Sequence, residues 1–167
     1  MTRLSTQPAS VDAIQVPTRE SPVGATIRHP VLVALISLEL GLLAVQFALG
    51  MFINLYVTFP SPVFGMYDMM QLMFQPGMGT LMAHMMIGMV LGALTLLTFA
   101  AAALSRNALL VATTGGTFVA VVAAGINGME FLFSGQNNAY SYGMSLGFLL
   151  AFALVLFSLF GAWGRAR

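Results

Sequence analysis

The chain has no cysteine and no lysine, and its six basic residues are all arginine. Without cysteine there is no disulfide, thiolate metal site, iron–sulfur cluster or cysteine nucleophile. Charge of either sign is scarce, at 7% of 167 residues, where a soluble domain carries roughly 25%. So few charges do not cover a water-facing surface of this size. The net charge of +1 offers no clustered basic face, which argues against a nucleic-acid partner. Other sets are missing too: no glycine-rich phosphate loop with lysine, no HExxH, no Ser-His-Asp arrangement. Those gaps speak against an ordinary hydrolase or kinase. They weigh against an enzyme without closing the question.

What is present is apolar, at 59% of residues. Four runs are each long enough for a helical membrane span of about 20 residues. They are read at about 30–57, 78–104, 108–133 and 141–163. Residues 1–29 hold Pro17, Pro22, Gly24 and scattered serine and threonine, the pattern of a flexible tail. No short apolar core lies near Met1, so this tail is not read as a cleavable signal. Pro30 suits a helix start, where its missing N–H costs nothing. The fold expected is all-α: an integral membrane four-helix bundle, up-down-up-down, over residues 30–164. The loop between the first two spans carries Pro60, Pro62, Pro76 and Gly77, and residues 64–74 within it are apolar enough for a short interfacial helix. Ser105-Arg106-Asn107 is so brief that the spans it joins must be antiparallel neighbours.

Arginine placement sets the orientation. Arg3, Arg19 and Arg28 precede span one, Arg106 joins spans two and three, and Arg165 and Arg167 follow span four. All fall on one side of a four-span topology, which the positive-inside rule assigns to the cytoplasm. The expectation is a multi-pass protein of the plasma (inner) membrane with both termini cytoplasmic. Rows of small residues mark close helix contacts: Gly88 and Gly92; Gly116, Ala120 and Ala124; Gly143, Gly147 and Ala151.

Polar groups in hydrocarbon are costly, so each needs a reason. On span one, Glu39, Gln46, Gly50 and Asn54 fall within roughly 80° of arc at the helical step, a stripe that should face the interior. Span two holds His84, and span three holds Asn127 and Glu130 near its outer end. By helical rise, His84 and Asn127 lie roughly 10 Å outside their span midpoints, and Asn54 and Glu130 nearer 15 Å. These four are the candidate cofactor-binding set, and Asn54, His84 and Asn127 are expected to converge. Glu39 lies apart, on the inner half.

Two cofactors suit the pattern. His84 with Gly88 four residues on resembles a b-type cytochrome helix, where imidazole ligates haem iron and glycine leaves room for the porphyrin. A second axial ligand is needed there, and the other histidine, His29, sits at the opposite face. Copper is the alternative. Nine of thirteen methionines lie between Met66 and Met89, and thioether with imidazole suits Cu(I). His84, Met82 and Met85 are the candidate metal ligands. Methionine also serves as a flexible apolar filler.

The run Asn54-Leu55-Tyr56-Val57-Thr58-Phe59-Pro60, the His84/Gly88 helix and Asn127-Gly128-Met129-Glu130-Phe131 together resemble small four-span membrane proteins of unassigned function from actinobacteria and related prokaryotes. The resemblance covers most of residues 30–160 and implies that Asn54, His84 and Asn127 act as one site. It implies no activity, and the methionine cluster is not part of the pattern. Three functions follow as expectations. The first is a non-catalytic or cofactor-holding accessory subunit of a larger membrane complex, such as a redox or respiratory one, with other subunits or a second copy as partners. The second is a haem b- or copper-binding protein using His84. The third is a small proton-linked transporter using Glu39.

Overall fold

The computed structural model describes residues 30–59 and 63–163. The expected tail 1–29, with Arg3, Arg19, Arg28 and His29, lies outside the described residues, as do Pro60, Pro62, Arg165 and Arg167. The described chain is helical throughout: α1 (Pro30–Tyr56), α2 (Met66–Met73), α3 (Gly79–Leu104), α4 (Ala108–Phe133) and α5 (Asn138–Trp163). All but α2 are long and apolar enough to cross a membrane.

Local chemistry explains the boundaries. The turn between α3 and α4 closes in three residues because Arg106 takes the left-handed conformation, with φ of 55°. Asn107 then caps α4, its Oδ1 accepting from the Leu109 and Leu110 amides at 3.2 and 3.4 Å. At the other end of α4, Gly135 is also left-handed, and the Gln136 amide donates back to the Phe131 carbonyl at 2.8 Å. This is a Schellman termination. Asn137 follows at once as an N-cap, Oδ1 accepting from the Ala139 amide at 3.0 Å. That cap is why α5 begins three residues before the expected 141: the Asn-rich segment starts a helix instead of extending the turn. The short helix of the first loop runs over Met66–Met73, narrower than the expected 64–74. Asp68 reaches back to accept from the Phe64 amide at 3.2 Å and holds its entry.

The four long helices form a closed ring in which α1 packs on α3 and α5, and α4 packs on α3 and α5. Contacts along α4 and α5 pair Leu109 with Gly161, Thr113 with Ser158, Ala124 with Gly147 and Asn127 with Gly143. Those along α1 and α3 pair Gln46 with Gly88 and Gly50 with His84. Phe99 of α3 covers Gly115 of α4. Along the α4–α5 and α1–α3 contacts the residue numbers run in opposite senses.

Two apolar clusters fill the interior. The larger contains Leu32, Ile36 and Leu43 of α1, Leu91 and Ala102 of α3, Leu110 and Ala120 of α4, and Ala151 and Val155 of α5. The second lies at the end away from Arg106, where Met69 and Leu72 of α2 join Ile53, Val63, Met78, Leu81 and Leu132. The small rows expected on α4 and α5 lie at their contact. A Cβ built on Gly147 would stand 3.1 Å from the Ala120 carbonyl and 3.2 Å from the Ala124 nitrogen.

Candidate functional site

The polar side chains of the interior fall in two layers. The first is near the Arg106 end. Glu39 is 1% exposed, and Thr98 of α3 places its hydroxyl beside the carboxyl. Buried at the same end are Thr95 on α3, Thr113, Thr114 and Thr117 on α4, and Ser158 on α5. Most of these hydroxyls donate to a carbonyl of their own helix, Thr98 to Leu94 at 3.0 Å and Thr117 to Thr113 at 2.9 Å among them. Thr113 donates to the Leu109 carbonyl, so its Oγ1 accepts from Ser158 Oγ at 2.7 Å and ties α5 to α4. Glu39 Oε1 is buried with no hydrogen-bond partner. Among the described residues no cation approaches it.

The second layer lies two turns further along the same face of α1, roughly 10 Å by helical rise. Gln46 Nε2 donates to the His84 carbonyl at 2.9 Å and lies 3.3 Å from His84 Nε2. The carbonyl fixes the amide orientation, since the reverse orientation would set oxygen against oxygen. A donor amide beside Nε2 needs its lone pair, so the imidazole proton sits on Nδ1. His84 Nδ1 and Gln46 Oε1 are both buried without partners, a costly state for polar atoms in an apolar setting.

Two glycines make this layer possible. A Cβ on Gly50 would stand 3.2 Å from His84 Cε1, and one on Gly88 only 2.9 Å from Gln46 Nε2. The imidazole therefore rests on Gly50 and the amide on Gly88. Between the layers stand Leu43 and Leu91, each 2% exposed. Heptad spacing underlies the arrangement. Glu39, Gln46 and Ile53 recur every seven residues on α1, and His84, Leu91 and Thr98 do so on α3. Laid antiparallel, the seam reads carboxyl–hydroxyl, leucine–leucine, amide–imidazole, then Ile53 with Leu81.

The expected convergence of Asn54, His84 and Asn127 is not what the bonds show. His84 pairs with Gln46. Asn54, on the same stripe, is exposed. Asn127 donates from Nδ2 to the Ala123 carbonyl of its own helix at 2.8 Å and packs over Gly143 of α5. Glu130 is exposed.

A haem does not fit at His84: the slot above Gly88 holds the Gln46 amide, and that amide faces Nε2. A copper centre on His84, Met82 and Met85 does not fit either. Met82, two residues away, projects about 200° round the helix from His84 and is exposed, while Met85 packs towards the α2 cluster. Met69 and Met78 are buried filler in that cluster. Among the described residues no group of three His, Asp or Glu side chains gathers at a point.

Sequence reasoning placed Gly50 on the polar stripe but missed the hydroxyl layer. The available signal was spacing: Thr95 and Thr98, Thr113 and Thr117, and the heptad partners of Glu39 and His84. Comparison with protein families, curated proteins and solved structures finds no match to this chain.

Proposed function

We propose that this protein is a small multi-pass membrane protein acting as a non-catalytic accessory subunit of a larger complex in a prokaryotic plasma membrane. Its four long helices span up-down-up-down, α2 lies at the outer surface, and both termini and Arg106 face the cytoplasm. The observation that carries the reading is the distribution of side chains. The described interior is packed with the chain's own apolar residues, with Ile36, Leu110 and Ala151 fully buried. Outward, only a minority of each span is covered by the rest of the chain, and polar Asn54 and Glu130 lie exposed at one end. Lipid takes part of that surface, and partner helices or a second copy take the rest.

Extraction in a mild detergent tests this. The chain should migrate in a complex well above its own mass, with other membrane proteins or a second copy co-purifying. A monodisperse monomer after the gentlest extraction would overturn the reading. Orientation is tested separately with reporters. Fusion after Arg167 or insertion at Arg106 should report cytoplasmic, and insertion at Gln136 external. An external C-terminus would overturn the four-span orientation.

A further inference from the structure

We propose that the α1–α3 seam is a gated proton path, with Glu39 as the site that carries the proton between the two membrane faces. The proposal rests on the membrane-spanning reading and is independent of partner subunits.

The argument starts from the carboxyl. Glu39 is the one Asp, Glu or Arg on α1, α3 and α5 as described, and it is 1% exposed. A charged carboxylate there would be unpaired among the described residues, and an unpaired ion in an apolar interior is far more costly than the neutral acid. A glutamate kept in such a place for packing alone would have its oxygens satisfied, as buried polar atoms generally are. Oε1 is not. The titratable side chains on the elements packed against α1 are His84 on α3 and Tyr140 and Tyr142 on α5. Beyond them stand Tyr67 and Asp68 on α2 and Glu130 on α4. All lie towards the end away from Arg106, so none adjoins Glu39.

Exchange groups flank the site on both sides. Towards Arg106 the flank is hydroxyl: Thr98 beside the carboxyl, with Thr95, Thr113, Thr114, Thr117 and Ser158 buried at the same end. Most of these hydroxyls donate to a carbonyl of their own helix, Thr98 to Leu94 among them, and retain lone pairs to accept. Towards the other end the flank is the Gln46–His84 pair, whose Oε1 and Nδ1 are unpartnered. Leu43 and Leu91, both buried, lie between that pair and Glu39 along the seam. One apolar layer between two polar ones is a closed gate, opened by a modest shift of α1 against α3.

The step balances simply. Water on one side gives a proton to the Glu39 carboxylate, forming the neutral acid. The acid releases that proton to water on the other side and the carboxylate returns. One positive charge crosses per cycle, so flux needs a compensating ion.

The test uses the full chain in lipid vesicles with an internal pH dye, driven by a potassium gradient and valinomycin. Alkaline carbonate washing first establishes insertion. Wild-type vesicles should acidify faster than empty ones. Glu39→Gln should lose this flux, Glu39→Asp should keep part of it, and Leu43→Ala, which thins the gate, should raise it. In parallel, a hydrophobic carbodiimide, which adds to protonated carboxyls, should label Glu39 by peptide mass mapping, with labelling falling as pH rises. Equal flux from inserted wild type and Glu39→Gln overturns the proposal, as does absence of carbodiimide label at Glu39. Loss of the chain on carbonate washing overturns the membrane-spanning reading and this proposal with it. Failure to find partner proteins overturns only the subunit reading.

Discussion

Two seams of the bundle are built on opposite lines. Between α4 and α5 the contact is made by small residues: Gly143, Gly147 and Ala151 meet Asn127, Ala124 and Ala120, and backbone approaches backbone. Its one cross-helix side-chain bond, Ser158 to Thr113, leaves no buried atom of either residue unpartnered. Between α1 and α3 the contact is layered, alternating polar and apolar, and among the described residues it holds the three buried side-chain polar atoms that lack partners. In lipid, tight packing is what holds helices together. The first seam uses it fully. The second gives some of it up to place a carboxyl, an amide and an imidazole inside. A seam with unsatisfied groups has less to lose on shifting, so α1 should move against α3 before α4 moves against α5.

The largest effect should come from breaking the dry seam. Gly147→Leu forces a branched side chain against the Ala120 carbonyl and the Ala124 backbone, neither of which can yield. Overpacking of this kind costs about 1–3 kcal/mol or more, and size-exclusion melting in detergent should show early loss of the folded peak. Unchanged melting would mean the close approach has slack.

Next comes a pair on α3. Gly88→Ala pushes the Gln46 amide off its seat, losing its bonds to His84 at a cost of about 1 kcal/mol. Gly92→Ala meets nothing within 4 Å and should be neutral or stabilising, since alanine is the better helix former by up to about 1 kcal/mol. Equal melting of the two would show that Gly88 is not there to seat Gln46.

Smaller again is Ser158→Ala, which removes the Thr113 bond. Interhelical bonds in membranes average about 0.6 kcal/mol, so a small drop in melting temperature is expected, and a large one would reveal a further load on Ser158. The smallest effect belongs to the double change Gln46→Leu with His84→Leu. Replacing both partners of a half-satisfied pair by apolar groups is close to neutral or stabilising. A strong loss would show that the layer is structurally required, and the contrast between the seams would fail.

The spans were legible because hydropathy follows length directly, and the expected 108–133 matches α4 end to end. The start of α5 was not, because Asn137 caps a helix in a stretch whose composition reads as a turn. The outer polar residues were identified one by one, yet their partners were misjudged. Depth along a helix follows from residue number, whereas which neighbour a face meets depends on the ring order of helices. Asn127 turned to its own backbone and to α5, and Gln46 met His84 instead. The threonines escaped notice because hydroxyls bonded to their own helix scarcely alter the apolar character of a span. The heptad steps from Glu39 to Gln46 and from His84 to Thr98 did contain the pairing, but only once α1 and α3 are known to touch.

The placement of α2 has a consequence in time. Met69 and Leu72 share their cluster with Leu132, which lies 132 − 69 = 63 residues beyond Met69 in the chain. At ~5–20 residues per second of synthesis, several seconds separate the emergence of α2 from that of the surface that completes its seat. During that interval Met69 and Leu72 have Ile53 of α1 and then Leu81 of α3, but not Leu132. The nascent chain thus holds α2 on a part-built seat until the end of α4 arrives to complete it.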